Sequence, residues 1–240
     1  MTFIVVVGIL AFIAGATSAV AGFGIGSILT PLLALTIGAK LAVAAAAIPH
    51  LLGNSVRLWT LRDRIDKNVL KTFGLMSAAG ALLGALLHAV AAAPYLKVAM
   101  AVILIIAGIL GVLGLIDRVR MGRRGAWTAG ALSGFLGGLV GNQGGIRAAA
   151  MLALDVPKEV FVATAVAIAL VVDGARMPVY AFSVGQQLLG VWPVVATASG
   201  GVLLGTLTGK TLLGWIPEAV FRRMVSGLLV ALGVTMLVTG

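Results

Sequence analysis

Gly141-Asn142-Gln143-Gly144-Gly145-Ile146-Arg147 interrupts a chain that is otherwise almost continuously oily. Its three glycines in five residues each disfavour helix by roughly 1 kcal/mol. Carboxamides and a guanidinium placed in hydrocarbon demand partners or a wet cavity. The stretch therefore reads as a break between two helix pieces inside a membrane. The second piece starts near Gly145, so its free N–H groups and the positive end of its dipole face the break, with Arg147 in the first turn. Such an end attracts anions.

The remaining sequence sets this break in a bilayer. Of 240 residues, 61% are apolar and 10% charged, the mean hydropathy is +1.17, and apolar runs long enough to cross a bilayer recur; together these define an integral membrane protein. The Ala, Leu and Val runs do not alternate with polar residues as barrel strands do, so the spanning elements are helices. The longest polar interval, Arg62 to Lys71, is a loop's worth, and one membrane domain is expected over residues 1–240. A net charge of +10 belongs to loops, as the positive-inside rule predicts, and gives no reason to invoke nucleic acid. With no Cys, disulfides, thiolate metal sites and a Cys nucleophile are excluded. Two histidines and scattered carboxylates make no transition-metal site, and no Ser, His and Asp grouping suggests hydrolysis, so neither enzyme activity nor a cofactor is expected. Residues 1–21 lack the basic start of a cleaved signal peptide. Gly205-Thr-Leu-Thr-Gly209-Lys210-Thr211 has three residues between its glycines where a P-loop needs four, and no strand precedes it.

A first apolar segment, about 3–21, stops at Gly22-Phe23-Gly24-Ile25-Gly26, and a short piece continues to about Ile37. That piece rises only about 16 Å, half a hydrocarbon core. Helices are expected near 40–61, 72–90 and 95–116. After the basic linker 117–125 come a short arm at 126–140, the break, a second arm at 146–154, and helices near 157–183, 188–212 and 217–239. At an offset of 119, Gly15 falls on Gly134, Gly22 on Gly141, Gly26 on Gly145, Asn54 on Asp173 and Arg57 on Arg176. So many glycine and polar matches indicate a duplication, with 1–116 as the first repeat and 126–240 as the second. If each broken pair enters and leaves on one side, three crossings per half remain and the second half is inverted. The basic loops 62–71, 117–125 and 210–223 then share the cytoplasmic side, leaving Lys40 and Lys97 opposite, which the positive-inside rule prefers. The expected fold is thus an all-α polytopic membrane protein of two inverted repeats, each a Gly-broken re-entrant-type helix pair followed by three transmembrane helices.

Matching breaks in two inverted halves point to a transport site near mid-membrane. Asp173 and Arg176, three apart, share one helix face, where they serve either a transport pathway or a structural ion pair. His50, Asn54 and Arg57 form a polar stripe on the symmetry-related helix. Arg57 has two readings, a site cation or a side chain snorkelling to the interface. His50 is a candidate proton carrier or a packing histidine. His88, near a helix end, reads as interfacial. Gly80, Gly84, Gly201 and Gly205 read as packing glycines.

On these residues the chain resembles the TauE/SafE sulfite exporter family over nearly its full length. Gly22-Phe-Gly-Ile-Gly26 followed by Pro31-Leu-Leu is similar to the family's glycine-rich motif. Gly141 to Arg147 with Val172-Asp173-Gly-Ala-Arg176-Met-Pro-Val-Tyr180 is similar to a subgroup that combines an Asn-Gln-Gly break with an Asp and Arg helix. Ala150 stands where a proline often follows the second break, and the first break lacks a triple glycine. The resemblance implies a permease for sulfite, sulfonates or related small anions in a bacterial inner membrane. The residues expected at the substrate are Asn142, Gln143, Gly144, Gly145, Arg147, Arg176, Asp173, Arg57, Asn54 and Gly24, with Asp173 and His50 for a coupled proton. Expected partners are the small anion, a coupling proton or cation, lipid and a second copy of the chain. The competing functions are a membrane-embedded scaffold and an anion channel.

Overall fold

In a computed structural model, described over residues 2–21, 24–115, 123–141, 144, 147, 151, 157–213 and 218–238, every regular element among the described residues is helical. The helices are α1 (Thr2–Ala21), α2 (Ile25–Ile37), α3 (Ala39–Leu61), α4 (Lys67–Val90), α5 (Ala93–Val112), α6 (Arg123–Val140), α7 (Lys158–Gly190), α8 (Trp192–Leu213) and α9 (Glu218–Val238). Four stretches are long and apolar enough to cross a membrane: Ala39–Arg64, Lys67–Val90, Ala93–Val112 and Glu159–Gly190. α8 is as long as these but is diluted by Gly, Ser and Thr.

Two boundaries differ from the sequence expectation. α4 begins at Lys67 rather than 72, because the Asp66 carboxylate caps it, accepting from the Asn68 and Val69 backbone N–H groups at 2.8 and 3.0 Å. A π-helical turn over Leu70–Gly74 then directs Phe73 into the core. α7 continues through 184–187, where a connection was expected, and ends at Gly190. A lone glycine and two glutamines do not stop a helix. The chain turns at Val191, where Pro193 opens the next helix in a first turn that needs no proline N–H.

The helices pair reciprocally. α1, which opens the first half, lies along α8; α6, which opens the second, lies along α4. α3 packs on α7 and α5 on α9, while α3 also meets α8 and α7 meets α4. Exchanging the two halves leaves this set of pairs unchanged. Small residues permit the closest pairs, as expected where lipid supplies no hydrophobic drive between helices. A Cβ added at Gly84 would collide with the Phe135 carbonyl oxygen, and one at Gly205 with that of Phe12. Gly80 faces Ala131 in the same way, and Gly201 faces Gly8, so these four are packing glycines.

Leucine at 84 or 205 is therefore expected to force α4 from α6, or α8 from α1, at a cost of about 1–3 kcal/mol or more. Thermal unfolding of the purified protein in detergent reads this. Gly174→Ala, where an added Cβ meets nothing within 4 Å, is expected to unfold like the parent.

Candidate functional site

α3 and α7 cross with their polar stripes facing one another. Asp173, fully buried, places Oδ2 2.7 Å from His50 Nδ1. Its Oδ1 accepts from Arg176 Nε at 3.0 Å and Nη2 at 2.8 Å. Spacings of three and four residues put Asp173, Arg176 and Tyr180 on one face of α7, and His50, Asn54 and Arg57 on one face of α3. Asn54 Nδ2 donates to the His50 carbonyl at 2.9 Å and lies 3.3 Å from the His50 ring nitrogens.

Each stripe then reaches back to the helix that precedes its own break. Arg57 Nη1 donates to Ser18 Oγ at 2.9 Å on α1, and Arg176 Nη1 donates to the Gly137 carbonyl at 2.6 Å on α6. Ser18 and Gly137 are themselves 119 apart, as Arg57 and Arg176 are. Arg57 is only 6% exposed, so its guanidinium lies inside and does not snorkel.

The two breaks touch. Gly24 at φ 136° starts α2, and Gly141 at φ 75° ends α6, both in backbone territory that favours glycine. A Cβ at Gly26 would sit 2.5 Å from the Gly141 carbonyl oxygen, and one at Gly141 would sit 2.9 Å from Thr30 Oγ1. Beyond the break Gly144 and Arg147 are helical and buried. Arg147 is 4% exposed, and its Nη1 has no hydrogen-bond partner among the described residues; Thr30 Oγ1 is likewise unpartnered. Arg147 lies within electrostatic reach of Arg57, Arg176 and Asp173. Among the described residues, three buried guanidinium groups thus lie around one buried carboxylate. Asn142, Gln143 and Gly145, along with Gly22 and Phe23, lie outside the described residues.

Several polar residues escaped the sequence reading. His88 is fully buried rather than interfacial, because both ring nitrogens meet backbone carbonyls: Nδ1 lies 2.8 Å from Leu139 O, and Nε2 lies 3.0 Å from Lys40 O. Tyr180 Oη donates to the Gly138 carbonyl, and its ring meets that of His88 edge-on at 5.2 Å. The spacing of Tyr180 from Arg176 was available in the sequence. Nothing local marks the distant carbonyls that His88 reaches. Among the described residues no group of three or more His, Cys, Asp or Glu is placed to hold a metal ion.

Long apolar helices, with two helix breaks in contact among the described residues, define a membrane protein. The family model for the sulfite exporters TauE/SafE matches residues 7–236, and the chain belongs to that family. No match was found among curated proteins or among solved structures.

Removing the carboxylate strands Arg176 in the interior. Asp173→Asn is expected to lower stability by about 3 kcal/mol or more, measured as thermal unfolding. Asn54→Ala, which removes no charge, is expected to cost less.

Proposed function

We propose that the protein is a secondary transporter that carries a small oxyanion, sulfite or a sulfonate, across the bacterial inner membrane. The observation that carries this reading is the buried guanidinium of Arg147, with Nη1 unpartnered among the described residues and within electrostatic reach of Arg57 and Arg176. Positive charge kept from water, with Asp173 already engaged by Arg176 and His50, calls for a mobile anion. A guanidinium fork suits that task, since it engages two oxygens of an oxyanion at once.

In this mechanism Arg147 and the N–H groups near Gly144 and Gly145 bind the anion, while Asn142 and Gln143 orient its oxygens. Arg57 and Arg176 add positive charge. Asp173 holds Arg176 in the empty state, and its contact with His50 gives a coupled proton a place to reside. Gly24 and Asn54 shape the first-half side, Gly24 by starting α2 and Asn54 by bridging His50 and Arg57.

Reciprocal helix pairing and the shared offset of Ser18–Arg57 and Gly137–Arg176 support reading the chain as one membrane domain of two inverted repeats, 1–116 and 126–240. Rocking of one half against the other alternates access. The basic loops face the cytoplasm in this arrangement. Exposed Trp59, with Arg62 stacked 4.4 Å from its ring centre, supports placing the first such loop at a membrane surface.

Proteoliposomes containing the protein are expected to take up labelled sulfite or sulfonate saturably, and Arg147→Ala to weaken anion binding at least about thirtyfold. Current that never saturates would identify a channel, and absence of both uptake and current would identify a scaffold.

A further inference from the structure

α6 ends at the second break, where its last carbonyls also meet side chains of other helices. The Gly137 carbonyl accepts from Gly141 N at 3.1 Å and from Arg176. That of Gly138 accepts from Tyr180, and that of Leu139 faces His88 Nδ1 at 2.8 Å. Three side chains from α4 and α7 therefore cover the negative end of the half-helix that leads into the anion site. Left uncovered, that end would repel the anion.

His88 differs from the other two. Its second nitrogen, Nε2, lies 3.0 Å from the Lys40 carbonyl. Lys40 in turn donates its Nζ to Ala89 O at 2.6 Å and Ala91 O at 3.3 Å, clasping the end of α4. A neutral imidazole carries one N–H, for which two carbonyls compete; only the imidazolium donates to both. The charged or titratable side chains facing His88 are Lys40 from α3 and Arg176 and Tyr180 from α7, and the last turn of α6 carries none. Burial and two cations oppose a second proton, two carbonyls favour it, and negative charge arriving nearby shifts that balance toward it. An anion beside Arg176 offsets part of that opposition.

We infer that His88 and Tyr180 are positioning residues of the anion site: Tyr180 fixes the Gly138 carbonyl, and a second proton on His88 ties Leu139 at the break to Lys40 at the start of α3. The inference rests on the transporter reading above. Anion binding and proton uptake at His88 then favour one another, as linkage requires of any two coupled ligands. The proton closes a clasp joining α3, α4 and α6, and the loss of that proton releases one side of it.

The chain has two histidines, so ring-15N histidine labelling of the full-length protein in lipid nanodiscs resolves both, with His50→Gln or His88→Gln assigning them. The His88 ring is expected to pass from one protonated nitrogen to two between about pH 8 and about pH 5. Adding methanesulfonate, whose own charge is constant over that range, is expected to move the midpoint upward. Anion affinity should rise roughly three- to tenfold from about pH 8 to about pH 6, stay within about twofold in His88→Gln, and fall roughly three- to tenfold at every pH in Tyr180→Phe. If His88→Gln fails to fold, the parent spectra and Tyr180→Phe decide. A His88 ring that holds one protonation state with and without anion overturns the inference, as do variants that bind like the parent with the same pH profile. A parent that binds neither sulfite nor methanesulfonate at any pH removes the transporter reading, and this inference with it.

Discussion

Asp173 accepts from Arg176 on one oxygen and meets His50 on the other, so a single carboxylate ties the longest helix to its counterpart in the first half. A lone charge at this depth is costly, and an ion pair alone leaves lone pairs and N–H groups unmatched. Two further donors find partners on other helices: Arg176 reaches Gly137, and Arg57 reaches Ser18. These long contacts join each polar stripe to the helix before its own break. Once α3 and α7 are registered by Asp173, the positions of both breaks follow, and Gly26 comes to rest against Gly141.

That registration works only because the outer helices approach closely. Gly84 on α4 and Gly205 on α8 let backbone carbonyls of α6 and α1 occupy the space a side chain would fill. The glycines of this chain therefore do two unrelated jobs. At 24 and 141 they allow positive φ where α2 starts and α6 stops, whereas at 84 and 205 they sit within unbroken helices and thin the interface. Composition alone does not separate the two; at the second break Asn142, Gln143 and Arg147 do, whereas the first break, Gly22-Phe23-Gly24, carries no carboxamide or charge.

Much of the fold was legible because its signals are local or periodic. The glycine-rich stretches marked the ends of α1 and α6, and spacings of three and four placed Asp173 with Arg176 and His50 with Asn54. What stayed hidden depends on contacts between distant segments. His88 looks interfacial in one dimension because α4 ends at Val90. Its burial is set by Leu139 and Lys40, each far along the chain. The early start of α4 was missed because Asp66 sits among basic loop residues, where a capping carboxylate resembles one more loop charge. The continuation of α7 to Gly190 was missed for the opposite reason: Gly185-Gln186-Gln187 resembles a turn, yet the true turn waits for Val191 and Pro193.

The two halves are alike in framework and unlike in charge, which bears directly on the proposed alternation of access. Asn54 stands where the second half has Asp173, and the Ser18 hydroxyl accepts from Arg57 where a bare Gly137 carbonyl accepts from Arg176. With identical halves, inward-open and outward-open states would be related by symmetry and equal in energy in the absence of a membrane potential. Placing the Asp173 carboxylate in the second half breaks that equality, because in the proposed rocking Asp173 and Arg176 would move together while Arg57 and His50 would move with the other half. The His50–Asp173 contact is then the bond that must stretch when the halves separate. In the proposed cycle an anion seated between Arg147 and Arg57 would supply negative charge to the first-half cations as Asp173 withdraws, which would make the loaded site easier to turn over than the empty one.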